Sequence, residues 1–259
     1  MKRLIIMFFT TFAGTLLLFS CFDGDSSSSD GSNSGQGGSM ARFTIAGNYM
    51  YSVDNKNLKL FDLSNPSQPE YLDRKTQPLG FNIETIFSMD TLLFIGSQDG
   101  MYIYDITRPE FPQQLSQISH IRSCDPVVAS GKYAYVTLNS ESSWCGNISN
   151  VLEIYDISNL RSPQLISSEI LNYPKGLGID GNRLFVCDAI QGIKVFNVAD
   201  PYHPVWIDDL THISEANGMK TYDVIPASGL LLTATDKGLY QFDYKGDKLK
   251  FVSKITLNK

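Results

Sequence analysis

The sequence is poor in the residues that most often carry catalysis or bind metals. It has four cysteines and three histidines in 259 residues, too few for a disulfide-rich scaffold. The histidines show no HExxH or paired spacing, and no G-x-S-x-G, Walker-type or G-x-G-x-x-G loop follows a predicted strand. These absences favour binding over catalysis, and we expect neither a metal nor a cofactor.

Basic runs are also missing. The chain has 21 Lys and Arg against 27 Asp and Glu, a formal charge of −6. Removal of Lys2 and Arg3 with a predicted leader leaves 19 basic residues against 27 acidic ones, or −8. An acidic chain without a basic cluster has no phosphate-binding footprint, so we expect no nucleic-acid partner and no affinity for anionic membrane surfaces.

The N-terminus carries a long uncharged run. Met1-Lys2-Arg3 precedes sixteen residues, 4–19, without a charge, which is typical of a secretory signal and short for a membrane span. The following Leu18-Phe19-Ser20-Cys21 resembles a lipobox, which implies cleavage before Cys21 and acylation of its thiol. We therefore expect a signal peptide over 1–20 and a lipid anchor at Cys21. The alternative is a plain signal peptide with a chance cysteine.

Residues 21–40 predict a flexible tether between the lipid and a folded domain over 41–259. The stretch FDGDSSSSDGSNSGQGGSM contains almost no core-forming residue, and Gly/Ser-rich chains of this kind behave as flexible coils. Three aspartates, Asp23, Asp25 and Asp30, resemble the acidic export tags of some surface lipoproteins, although solvated linker charge is the alternative. The expected location is the bacterial outer membrane, on its periplasmic side or at the cell surface.

A repeated pattern organises the remainder of the chain. Each unit has four short apolar runs separated by polar turns, which predicts a four-stranded antiparallel meander. The third run of each unit ends in an aromatic residue followed by Asp or Asn, at spacings of 43, 51, 41 and 46 residues. The five copies are Leu58–Asp62, Met101–Asp105, Leu152–Asp156, Ile193–Asn197 and Leu239–Asp243.

A period in the forties with four strands per unit indicates an all-β protein, a β-propeller, with five blades as the first choice. One blade has two apolar faces and can bury both only by stacking between neighbours. We therefore expect the third-strand aromatics to pack between blades; they are Phe61, Tyr104, Tyr155, Phe196 and Phe242.

These units resemble the LVIVD repeat of bacterial surface and periplasmic propeller proteins. The hairpin over Asp125–Val136 follows the pattern of that family closely, and the third strands match it with an aromatic in place of valine. The fifth copy departs from the pattern, because Tyr244–Asp247 replaces the usual Asn-Pro turn. The resemblance covers about residues 42–257 and implies the architecture more specifically than it implies an activity.

Strand order in a propeller defines two faces. The loops joining strand two to three, and strand four to the next blade, share one face and are long and varied here, so we call it the variable face and expect binding there. Aligning the first strands places Glu84, Asp125, Lys175 and Asp223 at one repeat position near the tunnel mouth. Their carboxylates could hold a cation or, as in some five-bladed glycosidases that the arrangement resembles, perform acid–base chemistry. The alternative is that they accept amide hydrogen bonds.

An insertion over 139–150 is the largest departure from the repeat. It places Trp144 on the variable face, either as a contact anchor or folded back on its own blade. Cys145 lies beside it, and Cys124 begins the first strand of the same unit. In an oxidising compartment we expect a Cys124–Cys145 disulfide, with Cys187 left as a small buried residue.

Three functional hypotheses follow. The first is a lipid-anchored propeller that binds a protein or glycan partner through its variable face. The second is a carbohydrate hydrolase with Glu84, Asp125 and Asp223 around the tunnel. The third is a structural envelope component.

A separate group of aspartates follows the second strands and is predicted to cap turns. Its members are Asp54, Asp99, Asp188 and Asp236.

Overall fold

The computed structural model describes residues 37–119, 126–139 and 150–256. Within these ranges the chain forms five antiparallel sheets and two 3-10 helices, Asp73–Lys75 and Ser214–Ala216. No helix in the described part of the chain is long and apolar enough to cross a membrane. The protein is an all-β, five-bladed β-propeller, as the repeats predict.

Strands are numbered in chain order and grouped by blade. Blade 1 contains β1 (Phe43–Ala46), β2 (Tyr49–Val53), β3 (Asn57–Asp62) and β4 (Glu70–Tyr71), with β5 (Gln77–Pro78) also paired to β3. Blade 2 contains β6 (Ile83–Met89), β7 (Leu92–Ser97), β8 (Gly100–Asp105) and β9 (Gln113–Ser119). Blade 3 contains β10 (Val127–Ser130), β11 (Tyr133–Leu138), β12 (Val151–Asp156) and β13 (Gln164–Ile170).

The last two blades repeat the same order. Blade 4 contains β14 (Pro174–Asp180), β15 (Arg183–Asp188), β16 (Gly192–Asn197) and β17 (Val205–Asp209). Blade 5 contains β18 (Thr221–Ala227), β19 (Leu230–Thr235), β20 (Gly238–Asp243) and β21 (Lys250–Thr256). Because consecutive strands are hydrogen-bonded neighbours, every blade is the meander that the sequence predicts.

The last residue of each third strand fixes the turn that follows it. Its side-chain oxygen accepts a hydrogen bond from the backbone N–H two residues later, at 2.7 Å for Asp62 and Ser64 and at 2.9 Å for Asn197 and Ala199. The same bond occurs in the other blades, at Asp105, Asp156 and Asp243. An Asp or Asn side chain that bonds its own backbone in this way stabilises a turn, which explains why the repeat requires these two residue types.

Four apolar clusters join successive blades. In each cluster the third-strand aromatic of the later blade packs on the earlier blade, as expected for Tyr104, Tyr155, Phe196 and Phe242. Phe61 of blade 1 differs, because it is partly exposed and packs on Tyr71 of its own blade, with ring centroids 4.9 Å apart. No buried apolar cluster joins blade 5 to blade 1 within the described ranges.

Candidate functional site

A pocket of about 520 Å³ opens on the variable face near the start of the inner strands. It lies between blades 1 to 4, and it is lined by residues that precede or begin first strands and by residues that follow second strands. The lining residues are Met40, Arg42, Asn55, Asn82, Ile83, Glu84, Thr85, Gln98, Pro126, Asn139, Pro174 and Lys175. We call it the central pocket.

Arg42 connects blade 1 to blade 2 at the rim of the central pocket. Its Nη2 atom donates to Oδ1 of Asn55 at 2.8 Å and to the backbone oxygen of Ile83 at 2.6 Å. Among the described residues, its Nη1 and Nε groups donate to no protein acceptor. The guanidinium is therefore held in place by one nitrogen and presents the others to solvent or a ligand.

Glu84 and Lys175, which share a repeat position, both line the central pocket. The carboxylate of Glu84 accepts a hydrogen bond of 2.9 Å from the Gln98 side chain, so it is a partly buried acceptor with one partner among the described residues. The ammonium group of Lys175 lies 4.8 Å from the centre of the Tyr173 ring. Among the described residues, the pocket thus combines one carboxylate, two cations and several side-chain amides.

Asp223 does not line the central pocket; it lies against the segment that precedes β1. Its Oδ1 accepts a hydrogen bond of 3.0 Å from the Ser39 hydroxyl, and its Oδ2 accepts one of 3.4 Å from the Met40 N–H. The Ser39 hydroxyl also accepts a hydrogen bond of 2.7 Å from the Leu177 N–H. Burial raises the pKa of Asp223 to about 6, although the bonds from Ser39 and Met40 oppose that rise.

Strand pairing explains why Asp223 is separated from Glu84. In blade 5 Asp223 pairs with Ala234 of β19. In blade 2 the residue equivalent to Ala234 is Gly96 of β7, and it pairs with Thr85. Both first strands contain an irregularity in register just before that pair, so Asp223 is equivalent to Thr85. Asp223 therefore lies one residue beyond the position of Glu84.

The segment before β1 is a site feature that the sequence reasoning missed. Ser39 falls within the predicted tether, yet it is fully buried and bonds to β14 and β18. The backbone oxygen of Ala41 accepts a bond of 2.9 Å from Ile86 in β6. Residues 39–41 therefore connect the inner strands of blades 2, 4 and 5. A small hydroxyl residue in a Gly/Ser-rich stretch gives no distinguishing signal in the sequence.

Glycines in β14 permit the close packing around Asp223. A Cβ atom at Gly176 would lie 2.2 Å from Oδ1 of Asp223, and one at Gly178 would lie 2.6 Å from Cδ of Pro226. Real Cβ atoms do not approach so closely, so both positions require glycine. This packing encloses the carboxylate and is the physical cause of its raised pKa.

Several predicted residues fall outside the described ranges. They are Cys21, Cys124, Asp125, Trp144 and Cys145. Their proposed roles in lipid attachment, disulfide formation and ligand contact stay predictions. The predicted insertion over 139–150 is described at its two ends, where Asn139 lines the central pocket and Asn150 precedes β12.

The aspartates after the second strands cap turns, as predicted, where their bonds are described. Asp54 accepts from the N–H groups of Lys56 and Asn57, both at 2.8 Å. Asp188 accepts from Ile190 and Gln191 on one oxygen and from Asn172 and Tyr173 on the other. In the described ranges no group of three His, Cys, Asp or Glu side chains is placed to hold a metal ion.

Comparisons with known proteins agree with this architecture. The LVIVD repeat matches residues 37–74 and 121–169, which include most of blade 1 and blade 3. No curated protein is similar enough in sequence to count as a match. The chain is thus a five-bladed β-propeller by its fold. More narrowly, it is a propeller that contains LVIVD repeats.

Solved structures with the same fold come from several bacteria. A functionally unknown protein from Desulfotomaculum acetoxidans is 13% identical with a TM-score of 0.64, over 86% of this chain and 69% of that one. The periplasmic gluconolactonase PpgL of Pseudomonas aeruginosa is 14% identical with a TM-score of 0.60, over 82% and 68%. AztD of Citrobacter koseri is 11% identical with a TM-score of 0.57, over 79% and 59%. At these identities the likeness establishes the fold alone.

Proposed function

We propose that this protein is a lipid-anchored binding protein of the bacterial cell envelope that holds a glycan in its central pocket. The observation that carries the proposal is the composition of the pocket wall, where Arg42, Glu84 and Lys175 lie among side-chain amides. Sugar hydroxyls both donate and accept hydrogen bonds, so they need amides and a carboxylate in one wall. The guanidinium of Arg42, which presents two nitrogens to a ligand, favours a glycan that carries a carboxylate.

The lipid anchor and the location are supported by the N-terminal sequence. The uncharged run over 4–19, the lipobox-like Leu18–Cys21 and the Gly/Ser-rich stretch after it suit a secreted and acylated chain. The tether would hold the domain close to the membrane surface. The central pocket would then receive ligand from the periplasm or from outside the cell.

The alternative is a carbohydrate hydrolase. A glycosidase needs two carboxyl groups on either side of the scissile bond. Glu84 lines the central pocket, whereas Asp223 does not, because its oxygens are bonded to Ser39 and Met40, so Asp125, which lies outside the described residues, would have to be the second carboxyl group. Periplasmic gluconolactonase activity belongs to a structural neighbour that is 14% identical, and it offers one substrate class for a turnover assay.

Binding to an array of neutral and acidic glycans tests the proposal. The full-length chain is compared with Arg42→Gln and Glu84→Gln, which remove one charge each and keep hydrogen-bonding capacity. Loss of a charge-assisted hydrogen bond, about 1.5–3 kcal/mol, should weaken binding roughly tenfold to a hundredfold. Matched controls are Arg161→Gln and Glu70→Gln, at exposed positions away from the pocket.

Two results would contradict the proposal. In the first, no glycan binds, or one binds with an affinity that neither pocket variant changes. In the second, a glycan or lactone is turned over and Glu84→Gln abolishes that turnover, which would favour the hydrolase. Thermal unfolding of each variant separates a loss of ligand contacts from a loss of fold, because Arg42 also bonds Ile83.

A further inference from the structure

The face of blade 5 that is turned away from blade 4 is exposed. In blades 1 to 4 the third residue of the second strand is buried against the next blade, at Tyr51, Phe94, Tyr135 and Phe185. Its equivalent in β19, Leu232, is 37% exposed. The second residue of the third strand shows the same difference in exposure. Met101 in β8 is 1% exposed, whereas Leu239 in β20 is 53% exposed. We call this surface of blade 5, which includes Ile255, the leading face.

Blade 1 is exposed on the opposite side. Phe43 in β1 is 55% exposed, while the residues at its position in the other first strands are buried against the preceding blade. Those residues are Ile86, Val127, Leu177 and Val224. Phe61 and Tyr71 lie on the same side of blade 1 and pack on each other. We call this surface, with Phe43, Phe61 and Tyr71, the trailing face.

The leading face carries an apolar groove of about 290 Å³. Its wall consists of blade 5 residues, among them Ile225, Leu232, Leu239 and Ile255. Within the described ranges no hydrogen bond joins a strand of blade 1 to a strand of blade 5, and the contacts of Ser39 and Met40 with Asp223 come from the segment before β1. Phe43, Leu232 and Leu239 remain exposed, and no buried cluster of the described residues contains both blade 1 and blade 5, so the groove is not filled by the trailing face of its own chain.

The two faces are complementary because they are the ends of one repeat series. Each interface inside the chain joins a leading face to the trailing face of the next blade, through an apolar cluster. Blade 5 presents the first half of such an interface, and blade 1 presents the second half, in the same strand register. The trailing face of blade 1 is therefore a surface that fits the leading face of blade 5, and both belong to this chain.

We propose that the leading face of blade 5 docks onto the trailing face of blade 1 in a second copy of this chain. Phe43 of the second copy enters the groove between Leu232 and Leu239. The contact continues the stacking that the four internal interfaces establish. Because two different faces meet, the interface is heterologous, and assembly proceeds head to tail until a ring closes or a filament forms.

Two substitutions on opposite faces test this assembly in the full-length chain. Leu239→Glu places a charge on the leading face, and Phe43→Glu places one on the trailing face, both at positions that are more than half exposed in the single chain. Ile170→Glu, at an 84% exposed position of β13, is the matched control. Sedimentation velocity across a hundredfold range of concentration measures the mass of each protein, and circular dichroism confirms that it is folded.

The expected result is that the unchanged chain and Ile170→Glu form assemblies that grow with concentration, whereas Leu239→Glu and Phe43→Glu are monomers. A 1:1 mixture of the two monomeric variants should form a dimer and nothing larger, because one intact leading face meets one intact trailing face. If either variant unfolds, Leu239→Ser and Phe43→Ser replace the pair. Monomers of the unchanged chain at every concentration would overturn the proposal, and so would assemblies that both variants leave intact. Failure of the mixture to dimerise would also overturn it.

Discussion

The Ser39 hydroxyl donates a hydrogen bond of 3.0 Å to Oδ1 of Asp223, a residue 184 positions further along the chain. The same hydroxyl accepts a bond from the Leu177 N–H at 2.7 Å. One side chain before the first blade thus joins the inner strands of the last two blades. The segment over 39–41 is a structural part of the propeller, because it connects strands that are far apart in sequence.

Replacement of Ser39 by Ala is expected to destabilise the fold. The buried Leu177 N–H loses its side-chain partner, and Asp223 loses one donor, so the free energy of unfolding should fall by about 1–3 kcal/mol. Urea unfolding measures the change, with the exposed Ser67→Ala as a control that should be neutral. Equal stability of the two variants would show that Ser39 does not connect the inner strands.

The raised pKa of Asp223 predicts a specific dependence of stability on pH. The pKa is about 6 in the folded chain against an ordinary value of 3.8, so the folded state binds the proton more tightly. The free energy of unfolding therefore falls as the pH rises from about 4 to about 6, by on the order of 3 kcal/mol. Asp223→Asn cannot titrate and should remove this part of the dependence.

The measurement is the stability of Asp223→Asn minus that of the unchanged chain, at pH 4 and at pH 7. This difference in the free energy of unfolding should be larger at pH 7 than at pH 4. The neighbouring Cys187 does not titrate in this range, because burial raises the pKa of its thiol. A difference that is the same at both pH values would contradict the enclosure of Asp223.

Cys187 should not react with thiol reagents in the folded protein. Its side chain is fully buried in the cluster between blades 4 and 5, and burial raises the pKa of its thiol, so both access and thiolate are lacking. A thiol reagent should give the same count for the unchanged chain and Cys187→Ala under native conditions. In denaturant the two counts should differ by one. A difference already present before denaturation would show that this interface opens.

The repeat pattern predicts most of the fold because each blade is determined locally. The aromatic and the Asp or Asn at the end of each third strand establish the blade boundaries, and four of the five aromatics pack as expected. Phe61 does not, since its environment depends on whether another blade covers blade 1. A repeat pattern describes what a blade can bury, but it does not show whether the end faces have a neighbour.

The candidate site is less predictable for two physical reasons. Strand pairing makes Asp223 equivalent to Thr85, one residue beyond the position of Glu84, and an alignment of the repeats by residue type does not reveal that difference. Long-range contacts of small polar residues, such as Ser39, depend on the assembled ring. The sequence places Glu84 and Lys175 together because each has the same position relative to its second strand, but it does not single out Arg42, which precedes the first recognisable strand.

The central claim is that neighbouring blades bury each other's faces except between blades 5 and 1. Two substitutions in β19 test it most directly. Leu231 is fully buried against blade 4, and its neighbour Leu232 is 37% exposed on the leading face. In urea unfolding at low protein concentration, Leu231→Ala should cost about 2–5 kcal/mol and Leu232→Ala less than about 1 kcal/mol. Equal losses for the two variants would contradict the claim, because they would show that the leading face is buried within a single chain.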